Sequence, residues 1–199
     1  MSVIAAITTS VDGFVTGPDD GPRAGLGRGG ERLHYWVMGG PWTYDGYHDP
    51  TAATGPDKEF LDDLMSEMGA AICGRNMYEA AGRWGGTNPF NGTLFVLTHR
   101  IDDAPDPASG FVFVNGLDEA VQRATENAGG KAVGISGGAD TIRQCLAAGY
   151  VDELAISTAP VVLGAGKRLF DGFERDIDLQ IKRVYTSRFA THVRYDVVR

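Results

Sequence analysis

Apolar and polar positions along the chain fall into short runs with two different periods. Residues 3–9, VIAAITT, form an unbroken apolar run that meets Val-Asp-Gly just after Ser10, the pattern of a strand entering a turn. From Asp57, DKEFLDDLMSEM sets Phe60, Leu61, Leu64, Met65 and Met68 on one helical stripe, with acids near its start. After it the two periods alternate. AAICG (70–74) predicts a buried strand and NMYEAAGRW (76–84) a helix, while TLFVLTH (93–99) and FVFVNG (111–116) predict strands. LDEAVQRATENAG, with apolar spacing at 117, 120, 121 and 124, predicts a helix, KAVGISGG a strand and ADTIRQCLAAG another helix. DELAISTAPVVL reads as one or two strands followed by the glycine loop GAGK, and LQIKRVYTSRFATHVRYDVVR alternates as a terminal antiparallel hairpin does.

This order argues an α/β fold, with a mostly parallel sheet and helices on both faces. The closing hairpin adds antiparallel strands at an edge, so the sheet is expected to be mixed. No repeat and no break in composition divides the chain, and residues 1–199 are read as a single domain. Two long loops, GPDDGPRAGLGRGG (17–30) and GGPWTYDGYHDPTAATG, flank ERLHYWVM (31–38), a predicted short helix with Leu33, Trp36 and Val37 on one face. Loops of that length in one domain usually cover a site. This region carries Trp36, Trp42, Tyr44, Tyr47, His34 and His48.

Composition narrows the function. Net charge is −8, from 18 basic and 26 acidic side chains, which excludes a broad nucleic-acid surface but not a small local anion site. No apolar run approaches the roughly 20 residues that span a bilayer, and the start reads as the first strand of the mature fold. Cys73 and Cys145 lie in apolar segments without metal or redox spacing, as free buried thiols in a reducing compartment do, so cytoplasm is expected. His34 and His48 lack ligand spacing and no metal is assigned. The 28 glycines cluster between apolar runs, as turn chemistry does.

Three strand-to-helix junctions share one character: ICGRNM (72–77), LTHR (97–100) and GISGGADT (134–141). In an open α/β sheet, ligands bind beyond the carboxyl ends of the strands. A helix start there offers N–H groups and a positive dipole end, which suits phosphate. Arg75 and Arg100 add positive charge, Gly137 and Gly138 admit close backbone approach, and Thr141 offers a hydroxyl. Taken singly, a Gly-Gly is as readily a tight turn and Gly-Arg a surface arginine. Taken together they point to a phosphorylated or dinucleotide ligand. The three-glycine Rossmann fingerprint and the Gly-Lys-Ser/Thr phosphate loop are both missing.

VIAAITTSVDGFVTG, ICGRNMYEA, FVLTHR, ISGGADTIRQCL and VDELAISTAPVVLGAGKRLF follow one another in this order. As a set they resemble the dihydrofolate reductase-like superfamily, in the branch of the C-terminal reductase domain of the bifunctional riboflavin-biosynthesis deaminase-reductase (RibD C-terminal-like). The resemblance covers nearly the whole chain outside residues 18–56. Ser-Val-Asp-Gly (10–13), Asp-Glu-Leu and Pro-Val-Val-Leu-Gly-Ala-Gly-Lys-Arg-Leu-Phe are typical of the riboflavin branch. Ile-Cys-Gly-Arg and the Gly-Gly helix start are shared with true dihydrofolate reductases.

The resemblance implies the three-layer fold of that superfamily, NADPH as cofactor and, from the riboflavin branch, a homodimer. It implies that Gly74, Arg75 and Asn76 meet the phosphate region and that Thr98, His99 and Arg100 hold the adenosine 2′-phosphate. Gly137, Gly138, Ala139 and Thr141 would cradle the pyrophosphate, often with an unusual peptide between the glycines. Ala6 and the turn from Val15 to Gly17 would border the nicotinamide. For the proton donor it points to a carboxylate at the start of the helix before the Ile-Cys-Gly-Arg strand, where Asp57 falls; an acidic first-turn residue is the plainer account. Asp12 suits a turn role. Trp36, Tyr78 and Trp84 are candidates to stack on a flat substrate, with core packing equally open.

The expected activity is hydride transfer from NADPH to a small heterocycle of the 5-amino-6-(5-phosphoribosylamino)uracil type. Arg23, Arg28 and Arg32 in the insertion are candidates for its sugar phosphate, or are solvated loop charges. The alternatives are a dihydrofolate or pteridine reductase and a non-catalytic NADP-binding protein. The chain departs from the bifunctional enzyme in lacking the cysteines of a zinc deaminase half and in carrying the aromatic, glycine-rich insertion at 18–56.

Overall fold

The computed structural model describes residues 2–45, 52–90 and 92–199, so Tyr47 and His48 lie outside the described residues. The chain begins with β1 (Val3–Ser10) and β2 (Phe14–Thr16), then α1 (Gly55–Glu67), β3 (Met68–Gly74) and α2 (Arg75–Ala80). β4 (Leu94–Leu97) and β5 (Phe111–Val114) come next, then α3 (Leu117–Asn127), β6 (Ala132–Gly137) and α4 (Ala139–Ala147). β7 (Glu153–Ala159), β8 (Lys167–Arg168), β9 (Leu179–Thr186) and β10 (Thr191–Val197) complete the chain.

Among the described residues, an eight-stranded sheet runs in the order β5-β4-β3-β6-β1-β7-β10-β9, and β2 pairs with β8 apart from it. The strands from β5 to β7 are mutually parallel, and β10 is antiparallel to both β7 and β9. The mixed sheet and the closing hairpin follow the apolar pattern. The neighbours of each strand do not, because β6 inserts between β3 and β1 across the whole α3 crossover.

Two faces are buried. On one, Ala120, Val121 and Ala124 of α3 and Ile142, Cys145 and Leu146 of α4 pack on Val3, Ala5, Ile72, Val133 and Ile135. On the other, Phe60 and Leu64 of α1 pack with Ile4, Trp36, Ala155 and Tyr185, while Tyr78 of α2 joins Cys73, Val96, Phe111 and Phe113. Each fully buried apolar side chain of this size contributes about 1.5–3 kcal/mol. Burial also pushes the Cys73 and Cys145 thiols up to about 12, so neither is a thiolate near neutrality.

Three local expectations change. The helix expected over 31–38 is a 3₁₀ turn, Gly30–His34, followed by turns, with Leu33 and Trp36 still buried. The helix expected to reach residue 84 stops at Ala80, since Arg83 (φ 56°) and Trp84 (φ 45°) take left-handed backbone that cannot continue it. In DELAISTAPVVL one strand forms, ending before Pro160. Asp12 takes the turn role. Its Oδ1 accepts from Ser10 Oγ at 2.7 Å and from the Leu163 N–H at 3.0 Å, and its Oδ2 from the Gly164 N–H at 2.8 Å, which lowers its pKa to about 2.

The face under α1 also buries charge. Arg194 on β10 and Glu153 on β7 are 4% and 2% exposed and paired, and Arg194 also forks onto Glu67 at 2.7 and 2.8 Å. Removing one partner strands the other in a low dielectric, so Arg194→Ala should lower the free energy of unfolding by about 3–5 kcal/mol in urea titration. A loss under about 1 kcal/mol would place the pair in water instead.

Candidate active site

Parallel pairing sets β4, β3 and β6 side by side with their carboxyl ends level: Gly74 pairs with Leu97, and Cys73 with Gly137. The three junctions singled out in the sequence are therefore neighbours along one edge. Gly74 is required for more than a turn, because a Cβ there would lie 2.5 Å from Thr141 Oγ1. Its absence seats the start of α4 against β3. Gly137, at φ 121°, joins Gly138 through a cis peptide, and a Cβ on Gly138 would meet nothing within 4 Å.

Beyond these ends lies a cleft of about 1650 Å³, lined by Ala6, Val15, Gly74, Arg75, Asn76, Thr98, His99, Arg100, Gly137, Gly138, Ala139 and Thr141. Gly17 is not on its lining. It packs against the Arg28 backbone, and its N–H donates to the Leu26 carbonyl at 2.8 Å. Arg75 reaches the lining already committed. Its guanidinium forks onto Asp103 at 2.7 and 2.8 Å, meets Glu79 at 2.6 Å, and lies 4.7 Å from the Phe113 ring centroid. The Asp103 hydrogen bonds dominate and raise its pKa. Arg100 is exposed and makes no ion pair among the described residues; its N–H donates to Thr98 Oγ1 at 3.1 Å. His99 Nδ1 bonds Asn115 Oδ1 at 2.8 Å. Arg100, unlike Arg75, is left without an ion pair among the described residues, though its charge helps to lower the pKa of Asp103.

The loop region between β2 and α1 supplies a further wall: Asp20, Arg23, Leu26, His34, Trp36, Trp42 and Tyr44 line the cleft, as do Trp84 and Phe90. Lys167 of β8 bonds Asp20 at 2.6 Å, and Trp42 Nε1–H donates to the Glu31 carbonyl at 2.9 Å, tying the wall down. Of the three aromatic candidates, Trp36 and Trp84 reach the cleft. Tyr78 does not; it is 2% exposed and lies edge-on to Phe111 and Phe113.

Asp57 is likewise off the lining. It falls on the inward stripe with Phe60 and Leu64, buried, with Oδ1 2.9 Å from His192 Nε2. His192 Nδ1 in turn lies 2.7 Å from Ser157 Oγ, and Ser157 lines the cleft. Burial lowers the pKa of His192 and the Asp57 carboxylate opposes that shift. Sequence reading missed both His192 and Ser157. The available signal was polar residues on the buried phase of their strands: Glu153 and Ser157 on β7, His192 and Arg194 on β10.

His34, named in the sequence only as a loop histidine without ligand spacing, is half-buried on the cleft lining, and burial pulls its pKa from 6.5 to about 4. Among the described residues no group of three or more His, Cys, Asp and Glu side chains is placed to hold a metal, and no helix is long and apolar enough to cross a membrane.

The comparisons with known proteins bear on this site. The family described as RibD C-terminal domain matches residues 1–193, and the chain belongs to that family. It is 32% identical over 149 residues to the uncharacterized protein YyaP of Bacillus subtilis, covering 69% of this chain and 77% of YyaP. A putative riboflavin biosynthesis protein from Shewanella sp. PV-4 superposes with TM-score 0.71 at 21% identity, covering 100% of both chains. Dihydrofolate reductase from Enterococcus faecalis, complexed with NADP(H), superposes with TM-score 0.59 at 14% identity, covering 98% of this chain and 96% of that one. The likeness to these solved structures shows a dihydrofolate reductase-like α/β fold, and the family is that of the RibD C-terminal domain.

A histidine whose folded-state pKa is depressed binds fewer protons folded than unfolded. The stability His34 contributes should thus be complete above about pH 6.5 and be lost progressively as pH falls from there to about 4. Histidine ring NMR on the wild type, with His34→Gln for assignment, should show a midpoint near 4; a midpoint near 6.5 would mean an open, hydrated ring.

Proposed function

We propose that this chain is an NADPH-dependent reductase acting on a small, flat heterocycle of the 5-amino-6-(5-phosphoribosylamino)uracil type. The carrying observation is the level edge of β4, β3 and β6, where Gly138 leaves room, α4 begins and Arg100 stands exposed without an ion pair among the described residues. These residues fit a phosphorylated dinucleotide. The missing Cβ of Gly138 leaves an open cradle, and the first N–H groups of α4 with the Thr141 hydroxyl suit a pyrophosphate. Thr98, His99 and Arg100 suit an adenosine 2′-phosphate, while Ala6 and Val15 border a nicotinamide. The Enterococcus faecalis neighbour with NADP(H) supports the cofactor. When bound, a reduced nicotinamide supplies hydride to an electron-poor C=N or C=O carbon. The chain's own part is to orient the two partners and exclude water with Trp36, Trp42, Tyr44 and Trp84.

Asp57 bears on the substrate. A pterin ring recognised by a carboxylate needs that carboxylate in the cleft, and Asp57 is bonded to His192 behind it. That favours the riboflavin-type substrate over dihydrofolate, with Arg23 on the insertion wall as the sugar-phosphate contact. The homodimer is assigned to the outer edge of β9, where Ile181 and Val184 are exposed, and sedimentation of Ile181→Lys tests it.

Arg100→Ala should weaken NADPH about tenfold, or about 1.4 kcal/mol, with NADH unaffected; equal losses for both would remove the 2′-phosphate role. Gly138→Ala should unfold at the wild-type temperature yet bind NADPH at least about tenfold more weakly. Wild type should oxidise NADPH faster with 5-amino-6-(5-phosphoribosylamino)uracil than with dihydrofolate. Tight NADPH binding without oxidation by either would indicate a non-catalytic NADP-binding protein.

A further inference from the structure

The reductase reading leaves one buried chain of polar groups without a task. Asp57, His192 and Ser157 come from α1, β10 and β7 and are 3%, 0% and 2% exposed. Both ring nitrogens of His192 are committed, Nε2 to Asp57 at 2.9 Å and Nδ1 to Ser157 at 2.7 Å. The ring is fixed by Phe60, stacked at 4.2 Å, and by Trp36, edge-on at 4.7 Å. Trp36 Nε1–H donates to Thr8 Oγ1 at 3.1 Å, and Thr8 is the β1 partner of Ser157. Of the three groups only Ser157 reaches the cleft. A contact built for packing alone would carry apolar side chains at these positions, because burying ionisable groups costs several kcal/mol.

We propose that Ser157 is the proton donor of the reduction and that His192 and Asp57 reload it from behind. This rests on the reductase reading. Hydride addition to the carbon of a C=N or C=O leaves an electron pair on nitrogen or oxygen that must take up a proton. In the loaded state His192 is an imidazolium beside the Asp57 carboxylate. Its Nδ1–H donates to Ser157 Oγ, which frees the hydroxyl hydrogen for the cleft. The Ser157 O–H bond breaks as the substrate N–H or O–H bond forms, and the Nδ1 proton moves to Oγ. Ser157 ends as a hydroxyl and His192 as neutral imidazole, still donating Nε2–H to Asp57. The substrate has then gained one hydride and one proton. In the discharged state the Ser157 hydroxyl donates to Nδ1, until a proton from the cleft reloads the pair.

The neighbouring ionisable groups are paired with one another. Tyr185 on β9 bonds Asp63 on α1 and has its pKa raised to about 12. Arg183 bonds Asp63 and Glu59, and Glu153 pairs with Arg194 and Lys182. His34, from the insertion, is neutral above about pH 4. Among the groups packed on this face, His192 is the one held in a hydrogen-bonded line that runs to the cleft; burial lowers its pKa and the Asp57 carboxylate opposes that shift.

The test uses the full chain with NADPH, and 5-amino-6-(5-phosphoribosylamino)uracil and dihydrofolate as probes. In wild type, kcat should fall about tenfold per pH unit above the His192 midpoint. Ser157→Ala should lower kcat by about 10²-fold, leave the Kd for NADPH unchanged and erase that pH limb, while Ser157→Thr, which keeps the hydroxyl, restores both. His192→Gln and Asp57→Asn should lose the same limb. A second readout needs no substrate: solvent exchange of the His192 ring N–H, followed by NMR in the NADPH complex. It should slow at least about tenfold in Ser157→Ala and keep the wild-type rate in Ser157→Thr, since the hydroxyl is the only exit assigned to that proton. A pH limb or an exchange rate unchanged in Ser157→Ala overturns the relay and leaves the reductase reading standing. Failure of wild type to bind NADPH overturns the reductase reading and, with it, the assignment of Ser157 as donor.

Discussion

The hydrogen-bonded placement of β3 between β4 and β6 is the constraint on which the rest of this molecule depends. Parallel strands point one way, so their exits lie level along one edge. Here that geometry sets Gly74 beside Leu97 and Cys73 beside Gly137, and three loops far apart in the chain meet across one cleft. The contact between Gly74 and Thr141 then fixes where α4 begins, and so where its free N–H groups lie. A shift of β3 by one residue would send its inward side chains to the opposite face and dissolve this edge.

Charge is distributed unevenly along that edge. Arg75 is bound by Asp103 and Glu79 and stacked on Phe113, so it acts as a fixed strut rather than a mobile counter-charge. Arg100 is exposed and free of an ion pair among the described residues. On the sheet face under α1, two polar networks replace part of the expected apolar contact. One, Glu67–Arg194–Glu153, holds α1 to β10 and β7; the other, Asp57–His192–Ser157, runs from the same helix to the cleft. Such networks are costly to bury unless every member is satisfied, and the principal groups here are.

Membership of the RibD C-terminal domain family defines the scaffold, while the chemistry of a site has to be argued from its own residues. The loop region ahead of α1 contributes part of the cleft lining, pinned by Lys167 to Asp20 and by Trp42 to Glu31. It brings Arg23, His34, Trp36 and Tyr44 to the same cleft as the strand ends.

Much of this was legible in the residues. The alternation of apolar runs foretold the strands, the helices and the closing hairpin. The junctions ICGRNM, LTHR and GISGGADT marked the cleft edge, and their order with VIAAITT and VDELAISTAPVVL marked the family. These features are local, set by periodicity, by glycine and by chain direction within a few residues. Strand order, the burial of Tyr78 and the capture of Arg75 by Asp103 were not legible. Neither was the withdrawal of Asp57 onto His192, 135 residues away. Each of those is a contact between distant segments, and packing alone decides which side chains meet. By itself the sequence determined the elements, the family and the junctions that form the cleft edge; the tertiary structure decided which charges stay free and which polar groups stand behind the cleft, because both depend on partners brought close only when the sheet closes.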